Sequence, residues 1–472
     1  MAQVKSIYMI AVCGTGMSAL AGLLKQAGYD VSGSDNNIYP PVSALLTNYG
    51  IEIKPGFKKE NLRHPPDLVV IGNAVSKNNE EVQAVLARGI PYVSFPQALS
   101  DFFLKGRKSL VMAGTHGKTT TTSLLGWVLH AAGKNPGIMA GGWMKNFDSN
   151  YRLPRGDYFV VEGDEYDTAF FDKEPKFLHY QPYAAILTGI EFDHADIFRD
   201  LGHIKAAFRK FVGMVHPRGF VLVEESDANA IEVLDQAPCV VETYGFSERA
   251  DWHIGSYRFD SDADGPPRGA FHLEYKGRPV GKFTVPMMGR HNARNCAAVA
   301  AMTVKLGLLP EEINDALKQF QGIKRRQEVV GEKNGIIVID DFAHHPTAIH
   351  HTLEAVKEAF PQCRVWAVFE PRSATSRRAV FQKSFPAGFR LADRVVIAKL
   401  FAPEKIEAGE RLDLPLLLED LRVMGKDAHL IPEVGDIVDF LVAQCKPGDV
   451  VLIMSSGGFG GIHRRLLDQL PS

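Results

Sequence analysis

Several absences narrow the chemistry of this 472-residue chain. No charge of one sign dominates: 53 Lys and Arg face 55 Asp and Glu, for a formal net charge of −2. Without a global basic field, nucleic acid and anionic membrane surfaces are excluded as principal partners, and anionic ligands must be met by local sites. Cysteine is scarce. Cys13, Cys239, Cys296, Cys363 and Cys445 are far apart and form no CxxC pair, which argues against a disulfide framework and a structural zinc site and reads as reduced thiols. Long apolar runs are missing as well. No segment approaches the roughly 20 apolar residues of a membrane span, and the run Ile7 to Val12 meets Gly14 with no cleavage signature. There is no internal repeat or low-complexity tract. A cytoplasmic, multidomain chain is expected, and about three domains follow from roughly 150 residues each.

What is present is led by Gly114-Thr115-His116-Gly117-Lys118-Thr119-Thr120-Thr121. The apolar run Ser109 to Ala113 precedes it and Ser123 to Leu129 follows, so the order is strand, phosphate loop, helix. Two glycines let backbone N–H groups wrap a phosphate at a helix N-terminus, Lys118 adds a charge, and the Thr119 hydroxyl is a ligand for Mg²⁺. The spelling is shorter than the general GxxxxGK[ST] pattern. ATP chemistry is the starting expectation.

The fold class expected is α/β in three domains. Residues 1–107 read as a Rossmann-like unit: a strand over Ser6 to Val12, the turn Gly14-Thr15-Gly16, a helix from Met17 to Gln26, and a second strand reaching Asp35. The GxGxxA turn followed by an acidic residue proposes a nucleotide pyrophosphate at the helix N-terminus, although an ordinary βα turn has the same appearance. Residues 108–324 form a central P-loop ATPase-like domain, with buried strands at Asp157 to Val161 and Ala184 to Thr188. Its part from about 216 to 288 is β-rich, with a turn at Asp262 to Pro267. Residues 325–472 form a second Rossmann-like unit, with strands at Gly335 to Asp341, Arg364 to Phe369, Ala392 to Leu400 and Asp449 to Met454.

Strand ends carry the remaining chemistry. The tract Glu162-Gly163-Asp164-Glu165-Tyr166-Asp167 and the tract Glu191-Phe192-Asp193-His194 each follow a buried strand, where open α/β sheets bind ligands. Carboxylate oxygens suit Mg²⁺ bridging phosphates. Lys118, Glu162 and His194 at three strand ends propose a metal and phosphate site. Arg290-His291-Asn292 with Asn295, and Arg325-Arg326, offer donors for nucleotide or transferring phosphate, unless Asn292 merely caps a helix. Asp341 could hold a ribose or a lysine-like partner. His344 and His345 are sequential and so poorly placed to share a zinc ion. The turn Ser455-Ser456-Gly457-Gly458 could cradle an anion through backbone N–H groups or simply permit close packing.

Together these residues resemble the Mur ligase family, ATP-dependent amide-bond-forming enzymes of peptidoglycan synthesis. The resemblance covers the whole chain and rests on Gly114 to Thr121, Glu162 to Asp167, Asp193-His194, His291-Asn292 with Asn295, Arg326, and Asp341 with His344-His345-Pro346. Gly14-Thr15-Gly16 and Ser32-Gly33-Ser34-Asp35 look like the branch using UDP-N-acetylmuramate. Finer spellings resemble the member that accepts a whole tripeptide, L-alanyl-γ-D-glutamyl-meso-diaminopimelate, in recycling: Cys13-Gly14-Thr15, Tyr39-Pro40-Pro41, Ile71-Gly72-Asn73-Ala74, Glu191 to Phe198, Glu370-Pro371-Arg372-Ser373 and the Gly457 to His463 tail. The alanine-adding member of the same branch is the nearest rival. A binding protein that lost catalysis and a folylpolyglutamate-type ligase are more distant alternatives; the N-terminal nucleotide unit disfavours the latter.

The resemblance implies roles. ATP would be bound by Gly114, Thr115, His116, Gly117, Lys118, Thr119, Thr120, Asn292, Asn295, Arg326 and Asp341. Mg²⁺ would be held by Thr119, Glu162 and His194, with Lys118, Glu162 and His194 catalytic. UDP-N-acetylmuramate would meet Gly14, Thr15, Gly16, Met17, Asp35 and Asn73. The peptide would meet Arg372, His344, Ser455, Ser456 and Gly457, of which Arg372 and the Ser455 to Gly458 turn are assigned by charge complementarity. A monomer or weak homodimer is expected. Two departures stand out: Gly189 replaces an asparagine common in relatives, and Ala206-Ala207-Phe208-Arg209 lacks the carbamylated lysine several relatives carry, as the muramate-using branch does.

Overall fold

The computed structural model describes residues 4–40, 42–260 and 268–471. Pro41 and the turn expected at Asp262 to Pro267 lie outside the described residues. Two compact units divide the chain: Met1–Ile190 with Ile204–Thr243 and Lys305–Leu308, and Glu191–His203 with Tyr244–Val304 and Leu309–Ser472.

The first unit holds two sheets. Strands β1 (Ser6–Ile10), β2 (Asp30–Asp35), β3 (Glu52–Pro55), β4 (Leu68–Ile71) and β5 (Tyr92–Ser94) form a parallel sheet in the order β3-β2-β1-β4-β5. Near-continuous apolar runs make β1 and β4 fit for burial on both faces. Gly33 is required by a close approach, since a Cβ there would stand 2.4 Å from the Met9 carbonyl oxygen and 2.8 Å from Val12. Beside it lies a buried carboxylate. Glu81 is fully buried and accepts from the Tyr8 hydroxyl at 2.8 Å, Asn61 Nδ2 at 2.7 Å and the Ser34 hydroxyl at 2.5 Å. Glu81→Ala leaves two buried hydroxyl donors, Tyr8 and Ser34, and the half-buried Asn61 amide without this acceptor, at about 1–3 kcal/mol for each buried one. Its expected result is a calorimetric melting transition several degrees lower, with Glu81→Gln costing less because it keeps an acceptor.

The second sheet comprises β6 (Lys108–Ala113), β7 (Gly137–Met144), β8 (Ser149–Arg152), β9 (Tyr158–Gly163), β12 (Ala184–Leu187), β13 (Phe220–Glu224) and β14 (Val240–Gly245), with the hairpin β10 (Asp167–Ala169) and β11 (Asp172–Pro175) beside it. The order β14-β13-β12-β6-β9-β7-β8 sets β12, β6 and β9 side by side. They run parallel, with Ala113 opposite both Leu187 and Gly163, so their following loops leave from one level. Glu162 lies inside β9 rather than beyond it, one residue before the strand ends.

In the second unit, β15 (Trp252–Asp260), β16 (Arg268–Tyr275) and β17 (Arg278–Val285) make an antiparallel ribbon, the β-rich excursion expected from the sequence. The C-terminal sheet contains β18 (Glu328–Lys333), β19 (Ile336–Asp341), β20 (Arg364–Phe369), β21 (Arg394–Ile397), β22 (Asp427–Leu430) and β23 (Asp449–Met454), ordered β18-β19-β23-β20-β21-β22. Only β18 is antiparallel to its neighbour. Helices Pro346–Ala359 and Leu414–Val423 pack on one face through Ile349, Leu353, Val356, Leu417 and Leu421. Helices Val434–Gln444 and Ile462–Gln469 pack on the other through Ile437, Val438, Leu441, Ile462 and Leu466. The segment after β20 packs on the first face through Phe381, Phe385 and Phe389, and the helix after β23 packs on the other, which opens a crevice between their carboxyl ends where such sheets bind ligands. Among the described residues no helix is long and apolar enough to cross a membrane.

Candidate active site

The phosphate loop is fixed by its glycines. Gly114 has φ +131°, and a Cβ there would meet Thr188 Oγ1 at 2.4 Å and the Gly189 carbonyl at 2.7 Å. Thr115 N donates to that same carbonyl at 2.8 Å, and the Thr188 hydroxyl donates to the His116 carbonyl. Gly117, at φ +79°, begins the helix Lys118–Ala131 with no side-chain cap and no acidic residue in the first turn. The helix therefore directs the positive end of its dipole at the loop. The helix Pro346–Ala359 differs: its Thr347 N–H is taken by His345 Nδ1 at 3.2 Å.

The acidic tract after β9, met in the sequence as one carboxylate-rich segment, is divided among separate partners. Glu162 Oε1 accepts from the Thr119 hydroxyl at 2.9 Å and its Oε2 from Gly141 N at 2.6 Å. Asp164 pairs with Lys176 at 2.6 Å and Asp167 with Lys173 at 2.7 Å. Glu165, only 2% exposed, places both oxygens on Lys118 Nζ, at 2.9 and 2.7 Å. Burial alone would lower the Lys118 pKa, but Glu165, Asp164 and Glu162 outweigh it and hold the ammonium above its ordinary value. Thr119 and Glu162 fit a hard cation, since adjoining hydroxyl and carboxylate oxygens are the donor set such ions take. Sequence reading did not single out Glu165; its one signal is the spacing of three from Glu162. Gly189, at φ +125°, has the Asp227 carboxylate beside it, which accepts from Ile190 N at 3.0 Å.

In the N-terminal sheet the expected sugar-nucleotide residues lie at or just after the ends of the adjacent strands β1, β2 and β4. Helix Thr15–Gln26 starts from Gly14, again without a side-chain cap, and includes Thr15, Gly16 and Met17. Asp35 accepts from Cys13 N at 2.9 Å and from Asn37 N at 2.8 Å. Its carboxylate thus ties the glycine turn to the end of β2 and shapes the site through backbone amides. Asn73 follows Gly72, whose N–H is bound to the Ile10 carbonyl at 3.1 Å.

In the second unit Asn292 and Asn295 are buried inside the helix Arg290–Lys305, so Asn292 is not its cap. Asn295 donates to Asn292 Oδ1 at 3.1 Å, and Asn292 donates to Gln327 Oε1 at 3.0 Å and the Met288 carbonyl at 2.9 Å. Gln327 N in turn donates to Asp341 Oδ2 at 2.8 Å, and Ala343 N to its Oδ1 at 2.7 Å. Burial raises the Asp341 pKa against the opposing pull of Arg326, whose guanidinium lies 4.6 Å from the Phe342 ring centre. Four expected nucleotide residues are therefore joined in one network, and Gln327, which sequence reading missed, is its bridge.

His194 is held at φ +54°, a left-handed conformation costly for a non-glycine residue and common at functional positions. Its N–H donates to Asp193 Oδ1 at 2.7 Å. Burial opposes ionisation of Asp193, but the imidazoles of His194, His344 and His345 drive its pKa well below the usual carboxylate range. His344 Nε2 is 4.0 Å from Asp193, while His345 Nδ1 is 3.5 Å from Glu191. The two histidines serve different carboxylates, as their adjacency in sequence implied.

At the crevice of the C-terminal sheet, residues more than 80 positions apart come together. Ser455 Oγ donates to Glu370 Oε2 at 2.5 Å and accepts from Gly457 N at 2.9 Å, and Arg372 Nη1 is 3.5 Å from Glu370 Oε1. The Arg372 guanidinium lies 3.7 Å from the Phe401 ring centre. A Cβ on Gly457 would stand 1.9 Å from Arg372 Nε, so glycine is what lets the arginine pass.

Across 465 residues the chain is 40% identical to the UDP-N-acetylmuramate–L-alanyl-γ-D-glutamyl-meso-2,6-diaminoheptandioate ligase of Escherichia coli (strain K12), covering 98% of each. The chain belongs to the Mur ligase family. Family models match in three successive pieces: the Mur ligase family catalytic domain over 6–107, the Mur ligase middle domain over 112–303, and the Mur ligase glutamate ligase domain over 325–457. Among solved Mur ligases, a murein peptide ligase from Psychrobacter arcticus 273-4 superposes with a TM-score of 0.72 at 33% identity, covering 99% of this chain and 98% of that one. A UDP-N-acetylmuramate–L-alanine ligase from Alkaliphilus metalliredigens is 34% identical over 465 residues, with 98% and 97% covered. The α/β, three-domain fold and the ligase class expected from the sequence both hold.

Proposed function

We propose that this Mur ligase joins the amino terminus of L-alanyl-γ-D-glutamyl-meso-diaminopimelate to UDP-N-acetylmuramate in the cytoplasm, where both the sugar nucleotide and ATP are available. The observation that carries this reading is the likeness, over nearly the whole length, to a relative named for that substrate pair. Residues 1–107 take the sugar nucleotide, 108–324 take ATP and 325–472 take the peptide.

Carboxylate and amine do not condense in water, so the carboxylate is first activated. A lactyl carboxylate oxygen attacks the γ-phosphorus of ATP, the bond to the β–γ bridging oxygen breaks, and ADP leaves an acyl phosphate. The peptide amine then attacks the acyl carbon, the C–O bond to phosphate breaks, and inorganic phosphate departs as the amine loses its proton. No covalent enzyme intermediate is needed. Lys118 and the N–H groups following Gly117 neutralise the β- and γ-phosphates. Thr119 and Glu162 would hold Mg²⁺, with His194 as a proposed further metal ligand; such an ion supplies charge neutralisation at the transferring phosphoryl group. Asn292, Asn295, Arg326 and Asp341 bind ATP as the network linked by Gln327. Gly14 to Met17, Asp35 and Asn73 seat the sugar nucleotide, and Arg372, His344, Ser455, Ser456 and Gly457 meet the peptide, whose carboxylates suit the guanidinium.

Phosphate release measured with ATP and UDP-N-acetylmuramate tests the amine. The tripeptide is expected to support turnover and L-alanine alone to support none. Turnover with alanine alone would make the alanine-adding activity, which several relatives near 33% identity carry in their names, the correct reading.

A further inference from the structure

Glu165 has no part in the reaction as described, yet both its oxygens are on the lysine that the reaction needs. Lys118 Nζ lies 2.9 and 2.7 Å from Glu165, 2.6 Å from the Gly114 carbonyl and 3.4 Å from the Thr115 carbonyl. The pair is dry, with side chains 11% and 3% exposed. An ammonium has three N–H donors. The Gly114 carbonyl and the two Glu165 oxygens account for all three, so a phosphate in the loop takes its hydrogen bond at the expense of one of them. The neighbouring carboxylates have donors of their own, Glu162 receiving Thr119 and Gly141 and Asp164 receiving Lys176, and act on Lys118 through space.

We propose that Glu165 is a positioning residue that keeps Lys118 folded across its own loop as a resident anion, which the phosphates of the incoming nucleotide displace. A buried charge that loses its partner is strongly uncompensated, so the carboxylate stabilises the nucleotide-free loop and weakens nucleotide binding by the same interaction. It thereby eases departure of ADP after each turnover. This inference rests on the ATP-dependence of the reaction and not on which amine is joined.

Glu165→Gln removes the charge and retains the side-chain volume. In the full-length protein, calorimetric titration with MgADP and with a non-hydrolysable MgATP analogue is expected to give dissociation constants lowered about tenfold, with KM for ATP falling and kcat limited by slower ADP release. Glu165→Asp, one methylene shorter, is expected to shift affinity in the same direction by a smaller factor and guards against misfolding of the first variant. UDP-N-acetylmuramate affinity should stay unchanged in both. Unchanged or weaker nucleotide binding in variants that retain sugar-nucleotide affinity overturns the proposal, because a purely structural carboxylate or one that stays with Lys118 in the nucleotide complex predicts that sign. Failure of tripeptide ligation, by contrast, bears only on the substrate assignment.

Discussion

Lys118→Ala is expected to lower ligation about a hundred- to a thousandfold while leaving UDP-N-acetylmuramate binding intact, because removing one preorganised charge from a site of phosphoryl transfer costs roughly 10²–10³ in turnover and this lysine is the loop's own cation. The readouts are single-turnover ADP formation and calorimetric titration with the sugar nucleotide. One complication is built into the site. Alanine at 118 leaves the buried Glu165 carboxylate without its ammonium, so part of any lost activity could reflect a distorted loop. The double variant Lys118→Ala, Glu165→Gln separates the two effects, since it removes the orphaned charge and should recover thermal stability without recovering turnover. Activity restored in the double variant, or more than a tenth of wild-type turnover in the single one, would show that Lys118 is not the group stabilising acyl-phosphate formation.

The legible part of this chain was the part carried by local pattern. Apolar runs such as Arg364–Phe369 and Asp449–Met454 coincide with strands at both ends because burial on two faces demands unbroken hydrophobicity. Gly114 and Gly117 were readable for the same kind of reason: both adopt positive φ, which few other residues tolerate. Partner choice was not legible. Four carboxylates within six residues, Glu162 to Asp167, look equivalent in sequence, yet each meets a different partner, because the pleat of β9 and the turn after it aim successive side chains in different directions. Asp35 and Asp341 are named in the sequence as carboxylates at strand ends; that each also accepts from two backbone N–H groups is visible only in the fold. Gln327 escaped notice because its position between β19 and the helix Arg290–Lys305 exists only in the fold.

Gly457→Ala is expected to raise KM for the peptide roughly 30- to 150-fold, the equivalent of about 2–3 kcal/mol for hydrogen bonds to a charged group, with KM for ATP and UDP-N-acetylmuramate unchanged. The backbone at 457 is not in the left-handed region, so alanine imposes no torsional strain there. What it imposes is a methyl group 1.9 Å from Arg372 Nε, 2.2 Å from Cδ and 2.4 Å from Cζ. The neighbour that must yield is a long side chain, and it yields by swinging off the Phe401 ring and away from Glu370. The fold is therefore kept and the guanidinium is misplaced. Arg372→Ala removes the same group directly and should produce a similar rise. If both act through that guanidinium, the double variant is no worse than the worse single, and the coupling energy from the double-mutant cycle approaches the smaller single effect. Additive effects, or a peptide KM that Gly457→Ala leaves untouched, would separate the glycine turn from the arginine and remove Arg372 from the peptide site.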